Sequence, residues 1–277
     1  MDLEFDVKMT HAWLIIAHNE FRILQMLISA LDQPGFDFYV HIDRKVKELP
    51  HLKANNGKII WVKNRVDVRW GSFSQIECEY ALFEEAFRSG AYDYYHVISG
   101  VHLPLQPVHE INAFFEARKG NSIMTGLCRD TLYQETLKVR RYNLFLRNYS
   151  SKKQFLRYAS QFLWKTSISI QRLLGIKHNA GISFYKASNW LSLTEEAVQY
   201  MLDRKEEVGK VFRFSFCGDE FFVPTELMAS PLKERVLNEE MYLLHTITRS
   251  NAGSFHLDEY DRLCKTGYLF ARKFTEK

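Results

Sequence analysis

Residues 12–17 read AWLIIA, six apolar side chains in a row with no polar position to turn toward water. A run this short and this apolar predicts a strand buried on both faces, as at the centre of a parallel sheet. Residues 20–31 follow, with Phe21, Leu24, Leu27, Ile28 and Leu31 at helical spacing. Phe38, Val40 and Ile42 then alternate with Tyr39, His41 and Asp43, the period of a second strand. Residues 59–62 and 94–99 predict two more strands. Between them a helix is expected with Ile76, Tyr80, Phe83 and Phe87 on its inner face and Gly90 just past its end. Ser72 or Ser74 is the expected cap, with Gln75 or Glu77 three residues on. The order β-α-β-β-α-β predicts an α/β fold with a mostly parallel sheet flanked by helices. Ligands of such sheets bind beyond the carboxyl ends of the strands. That rule singles out His18 and Asn19, then Asp43, Arg44 and Lys45, then Ser99 and Gly100.

Charge narrows the partner. The net charge is only +4, yet residues 136–194 hold eleven Lys or Arg and no Asp or Glu, so the remaining chain is acidic on balance. A basic belt of this size predicts an anionic partner: a nucleotide, a nucleic acid or an anionic membrane surface. Within it, residues 150–178 predict a helix with Phe155, Tyr158, Ala159, Phe162 and Leu163 as an apolar stripe. Two readings stand: an amphipathic helix covering the core, or a helix lying on a membrane surface. Residues 192–208 predict a further helix, opened by a capping box of Ser192 and Glu195.

The four cysteines (Cys78, Cys128, Cys217 and Cys264) show no C-x-x-C spacing, which argues against a zinc site and suits a reducing compartment. The first ten residues are polar and acidic, unlike a secretory signal, and no run of 18 apolar residues predicts a transmembrane helix. The expectation is a cytoplasmic protein, peripheral on the inner face of the cell membrane where the belt docks.

Several common sites are missing: G-x-G-x-x-G, a Walker A sequence, H-E-x-x-H, G-x-S-x-G and Asp-x-Asp. The last pair commonly holds a divalent metal against the diphosphate of a nucleotide-sugar. Five local signatures are present. In His41-Ile42-Asp43-Arg44-Lys45, an acidic strand end can bind a uracil or ribose, or be a solvated turn. Arg69-Trp70-Gly71-Ser72 sets a flat ring beside a glycine that permits close backbone approach. Ser99-Gly100 leads through His102 to Leu103-Pro104-Leu105. Asp219-Glu220 lies among Phe216, Phe221 and Phe222, where desolvation can tune a carboxylate as a base, although such a pair also suits a helix start. Arg272-Lys273 stands in an apolar segment, where two cations can neutralise a phosphate or form a basic tail.

Taken in order, these segments resemble the core-2/I-branching β-1,6-N-acetylglucosaminyltransferase family, which also contains peptide O-xylosyltransferases. The match begins at Ala17-His18 and takes in Ser188-Asn189-Trp190 before Asp219-Glu220. It runs over about residues 10–275. The resemblance implies a GT-A-like fold, an inverting mechanism and no metal or other cofactor. It implies one glycosyltransferase domain over 10–277, with a nucleotide-binding half at about 10–125 and an acceptor and catalytic half at about 126–277. It gives Glu220 the role of catalytic base and Arg272 and Lys273 that of diphosphate clamp. His18, Asp43, Arg69, Trp70, Gly71, Ser99, Gly100, Trp190 and Asp219 become donor or substrate contacts. The expected partners are a UDP-sugar and a glycan or lipid-linked oligosaccharide, not a nucleic acid. His102 departs from the family pattern, as do Phe221 and Phe222 after the base. The chain lacks the stem and cysteine richness of Golgi members, so a compact bacterial relative is expected. UDP-xylose is the alternative donor.

Overall fold

The computed structural model describes residues 9–129, 137–245, 247–248 and 251–276. The polar stretch 1–8 and Glu135 lie outside them. In chain order the elements that matter are β1 (His11–Ala17), α1 (Phe21–Leu31), β2 (Phe36–Ile42), β3 (Ile59–Trp61), α2 (Ser74–Ser89), β4 (Tyr94–Ser99), β5 (Leu103–Pro104), α3 (Val108–Glu116) and β6 (Ser122–Met124). They continue with α4 (Gln154–Leu173), β7 (Leu191–Leu193), α5 (Glu195–Asp203), α6 (Lys205–Phe212), α7 (Phe222–Met228), β8 (Val236–Asn238), β9 (Leu243–His245) and β10 (Phe270–Arg272).

β1 takes the central place its composition demands, parallel to β2 on one side and to β4 on the other. The seven-stranded sheet runs β8-β6-β7-β4-β1-β2-β3. β3 is parallel to β2 and β8 to β6, while β7 is antiparallel to both β4 and β6. The sheet is therefore mixed and mostly parallel. Helices cover it, and a continuous apolar core extends from Met9 to Phe274.

A polar chain crosses that core. His11 Nδ1 lies 2.7 Å from His96 Nε2, His96 Nδ1 lies 2.7 Å from Ser192 Oγ, and Ser192 Oγ lies 2.9 Å from the Tyr242 hydroxyl. Burial drives His11 down to about 4 and holds His96 well below the ordinary histidine value, so both rings are neutral. This network explains one departure from expectation. Ser192 does not cap a helix; it is the buried middle of β7. The cap is Thr194, whose Oγ1 accepts from the Ala197 amide at 3.3 Å. The expected helix over 192–208 is two helices, α5 and α6, divided at Arg204.

Two further expectations change. α2 begins with Phe73 at its N-cap and no side-chain cap. Ser72 donates instead to the Arg69 carbonyl at 2.9 Å, and Gln75 turns back to accept from the Gly71 amide. α4 forms over the expected stretch, but Phe155, Tyr158, Phe162 and Leu163 face solvent and do not cover the core. Its buried residues are Ser160, Ile168 and Gln171.

A second sheet secures the carboxyl-terminal strand. β10 runs parallel to β9 and antiparallel to β5, with Phe270 opposite Pro104 and Ala271 opposite Leu103. Backbone bonds from Leu105 to Leu269 at 2.8 Å and from Phe274 to Val101 at 3.0 Å extend the seam. The turn that leads from β4 into β5 holds Gly100, whose amide donates to Ile16 at 2.9 Å. A Cβ there would meet the Ala17 Cβ at 2.7 Å and Leu24 at 3.5 Å. Gly100 is thus a packing position between β1, β4 and α1. Gly100→Ala is expected to cost about 1–3 kcal/mol of stability, read as a lower urea midpoint; an unchanged midpoint would show that this contact relaxes freely.

Candidate active site

The turn that carries the two acids is built for opposite exposures. Cys217 adopts a left-handed φ of 52°, and Gly218–Glu220 closes a single 3₁₀ turn. A Cβ on Gly218 would fall 2.1 Å from Ser215 Oγ, so only glycine fits. The result points Asp219 inward and Glu220 outward. Asp219 Oδ2 accepts from Gln75 Nε2 at 2.6 Å and from Asn189 Nδ2 at 3.3 Å, while among the described residues the buried Oδ1 has no hydrogen-bond partner. Burial, and then the Glu220 charge, push the Asp219 carboxyl up to about 7. One helical turn along α2 from Gln75, the fully buried Glu79 is pushed well above the carboxylate range by burial and by Asp219. Both buried acids are best accommodated as neutral carboxyls.

Glu220 is half-buried. Its Oε2 accepts from Lys138 Nζ at 2.8 Å, and Lys186 Nζ lies 3.4 Å away. Neither lysine was singled out for this place in the sequence; both belong to the basic belt. Their positions are set by the backbone. The Phe216 amide donates to the Lys138 carbonyl at 2.8 Å, and the Ala187 amide donates to the Glu220 carbonyl at 3.0 Å. Burial opposes the Lys138 charge, but Glu220, Cys217 and Asp219 together outweigh it and raise the ammonium above the ordinary lysine value.

The cations approach from β10. The Arg272 guanidinium lies 4.7 Å from the centre of the Trp190 ring, and His102 meets the same ring edge-on at 5.1 Å. Desolvation lowers Arg272 to about 10 despite the opposing pull of Asp219. Trp190 is buried and serves as the platform under Arg272. Lys273, the next residue, is half-buried. His18, at the exposed end of β1, is held below the ordinary histidine value by desolvation and by Lys273, Lys45 and Lys152, against the pull of Asp43.

The remaining expected contacts divide. Asp43 is buried at the end of β2, and both its oxygens already engage Lys45, at 2.8 Å through the amide and 2.7 Å through Nζ. Arg69 is tied to Asp67 at 2.7 Å and lines a basic surface cleft of about 520 Å³ with Arg44, Arg65, Ser72 and Arg147. Trp70 is 49% exposed, stacks on Tyr149 at 6.0 Å and meets Phe216 edge-on at 5.4 Å. Gly71, at φ +78°, would place a Cβ 2.5 Å from the Phe216 ring. Ser99 spends its hydroxyl on His102 Nδ1 at 2.7 Å. Ser99 and Gly100 thus shape the turn between β4 and β5. Gln75 was read only as a helix-start residue, and its bond to Asp219 carries no local sequence signal. Among the described residues, no group of three or more His, Cys, Asp or Glu could hold a metal ion.

A half-exposed carboxylate beside a buried one, with an arginine held on Trp190 within the field of that buried acid, suits a sugar-nucleotide transferase. The family model described as Core-2/I-Branching enzyme matches residues 11–273. The chain belongs to that family and is a UDP-sugar glycosyltransferase. No curated protein matches it. Among solved structures it is similar to mouse xyloside xylosyltransferase 1 in its apo form, at 8% identity and a TM-score of 0.41, over 95% of this chain and 96% of that one.

Asp219 generates a pH prediction. Below its ordinary value of 3.8 native and unfolded chains both carry the proton; from there to about 7 the native state alone keeps it. Its contribution to stability is full at low pH and lost as the pH rises through about 7. Asp219→Asn removes that loss. The variant should gain roughly 2 kcal/mol relative to the parent between about pH 5 and about pH 8, measured by urea denaturation. A difference that does not vary with pH would contradict a neutral buried Asp219.

Proposed function

We propose that the chain transfers N-acetylglucosamine from its UDP derivative to a hydroxyl of a glycan or lipid-linked oligosaccharide, by inverting displacement without a metal. The observation that carries this reading is the geometry of Glu220. It is half-exposed on a turn fixed by its buried neighbour, and among the described residues its Oε1 accepts no hydrogen bond. Lys138 occupies Oε2, which leaves Oε1 for an acceptor hydroxyl.

In this mechanism Glu220 takes the hydroxyl proton as the acceptor oxygen bonds to the anomeric carbon. The bond from that carbon to the diphosphate breaks, and its electron pair leaves with the β-phosphate oxygen. Arg272 and Lys273 stabilise the charge that develops there, and Trp190 keeps Arg272 aimed before the reaction starts. Asp219 positions the base by locking the Gly218–Glu220 turn to Gln75 and Asn189. His18, Asp43, Arg69 and the Trp70-Gly71 turn form the nucleotide end of the cleft. For Asp43 to bind a base or ribose, Lys45 must yield one of its two bonds.

Glu220→Gln should lower transfer about a hundredfold to ten-thousandfold and leave UDP affinity unchanged, read by turnover and calorimetry. Near-normal turnover would remove Glu220 from the role of base. A donor screen checks the sugar separately. Turnover of UDP-N-acetylglucosamine is expected, whereas turnover of UDP-xylose alone would make the chain a xylosyltransferase.

A further inference from the structure

The longest helix among the described residues turns its apolar side to water. α4 is held inward by Trp164, the buried Ile168 and several polar contacts. Ser160 Oγ donates to the Phe145 carbonyl, and Trp164 Nε1 donates to Asn143 Oδ1 at 2.9 Å. Gln171 makes a reciprocal pair with the Tyr142 backbone, at 2.9 Å in each direction. Outward stand Phe155 at 81% exposure, Phe162 at 69% and Leu173 at 86%. At 3.6 residues per turn these three lie within about 20° of one another around the axis. Leu163 and Ile170 lie beside them, and Leu174, just past the helix end, is exposed as well.

Single exposed apolar side chains are ordinary on a protein surface; a row of them along one helix marks an interaction site. The charge around this row says what kind. Lys165 and Arg172 run along one edge, and Lys152, Lys153 and Lys177 flank the ends. All five are exposed, and none has an ion-pair partner among the described residues. The sequence places no acidic residue anywhere in 136–194. A second copy of this chain would bring the same positive face and repel it.

We propose that α4 is a docking surface for an anionic lipid bilayer. It lies in the interfacial plane, with Phe155, Phe162 and Leu173 at the acyl boundary and the lysines and arginines among acidic headgroups. The helix also connects that surface to the cleft. Trp164 packs on Phe216 at 5.6 Å and on Tyr149 at 5.5 Å, and Tyr149 stacks on Trp70. Phe216 directly precedes the turn that carries Glu220. A docked α4 therefore brings the cleft to the bilayer, where a lipid-carried acceptor is presented. Docking itself is independent of the transfer chemistry, so the test uses no donor or acceptor.

The full chain is floated with vesicles of phosphatidylcholine containing phosphatidylglycerol, and with phosphatidylcholine alone, at moderate salt. Recovery with the anionic vesicles is expected to exceed that with neutral ones about tenfold. The Phe155→Glu/Phe162→Glu/Leu173→Glu variant should lose that recovery and keep the parental thermal melt, since all three side chains already face solvent. Lys165→Ala/Arg172→Ala should retain part of it and recover the rest as salt is lowered. Three results would overturn the proposal: no flotation of the parent, equal flotation of the triple glutamate variant, or a parental dimer in sedimentation velocity that this variant converts to monomer. The last would make the face an interface between protein copies.

Discussion

The buried carboxyl of Asp219 is the joint on which the cleft is assembled. Gln75 reaches it from α2, and Asn189 reaches it from the segment before β7. Gln75 also accepts from the Gly71 amide, so one side chain fixes the Trp70-Gly71 turn and the turn before α7 at once. A charged Asp219 at this depth would carry a large desolvation cost. The surroundings instead raise its pKa and accept it as a neutral group. Adjacent residues in the chain thereby acquire different natures: Asp219 a buried link, Glu220 a half-exposed group met by two ammonium ions. A 3₁₀ turn that allows no Cβ at Gly218 makes that division.

The second element is a fixed positive charge. Arg272 rests on Trp190 at the end of a strand held between β5 and β9, so in the proposed mechanism its guanidinium needs little rearrangement to meet a phosphate. A guanidinium over an aromatic face in a partly dry site is attracted by roughly 1–2 kcal/mol. That offsets part of the desolvation which lowers its pKa. Preorganised charge of this kind stabilises a developing anion without paying for reorganisation during the reaction.

What could be read from the sequence follows from what patterns encode. The AWLIIA run located the central strand because a strand buried on both faces admits little else. The strand ends used by the proposed mechanism were picked out by the parallel order. The turn at Asp219-Glu220, Trp190 and Arg272-Lys273 could be named as segments, and the structure brings them together. The cap at Thr194 and the interior place of Ser192 could not be read, because a serine followed three residues later by glutamate looks the same in a strand end. The Gln75–Asp219 bond spans 144 residues and leaves no local trace. Lys138 and Lys186 were lost in a belt of similar cations. α4 is where the sequence left two readings open. Its apolar stripe was visible, but periodicity does not say which face is anchored, and here polar contacts from Ser160, Trp164 and Gln171 hold the opposite face.

The central claim is that side-chain charge from Arg272 and Lys273 holds the diphosphate in the role a metal plays elsewhere. Calorimetric titration of UDP into the protein in excess EDTA tests it most directly, with the parent beside Arg272→Ala and Lys273→Ala. The account predicts that the parent binds UDP equally well with and without EDTA, and that each variant binds about tenfold or more weakly. Loss of UDP binding on chelation, or variants that bind like the parent, would contradict it.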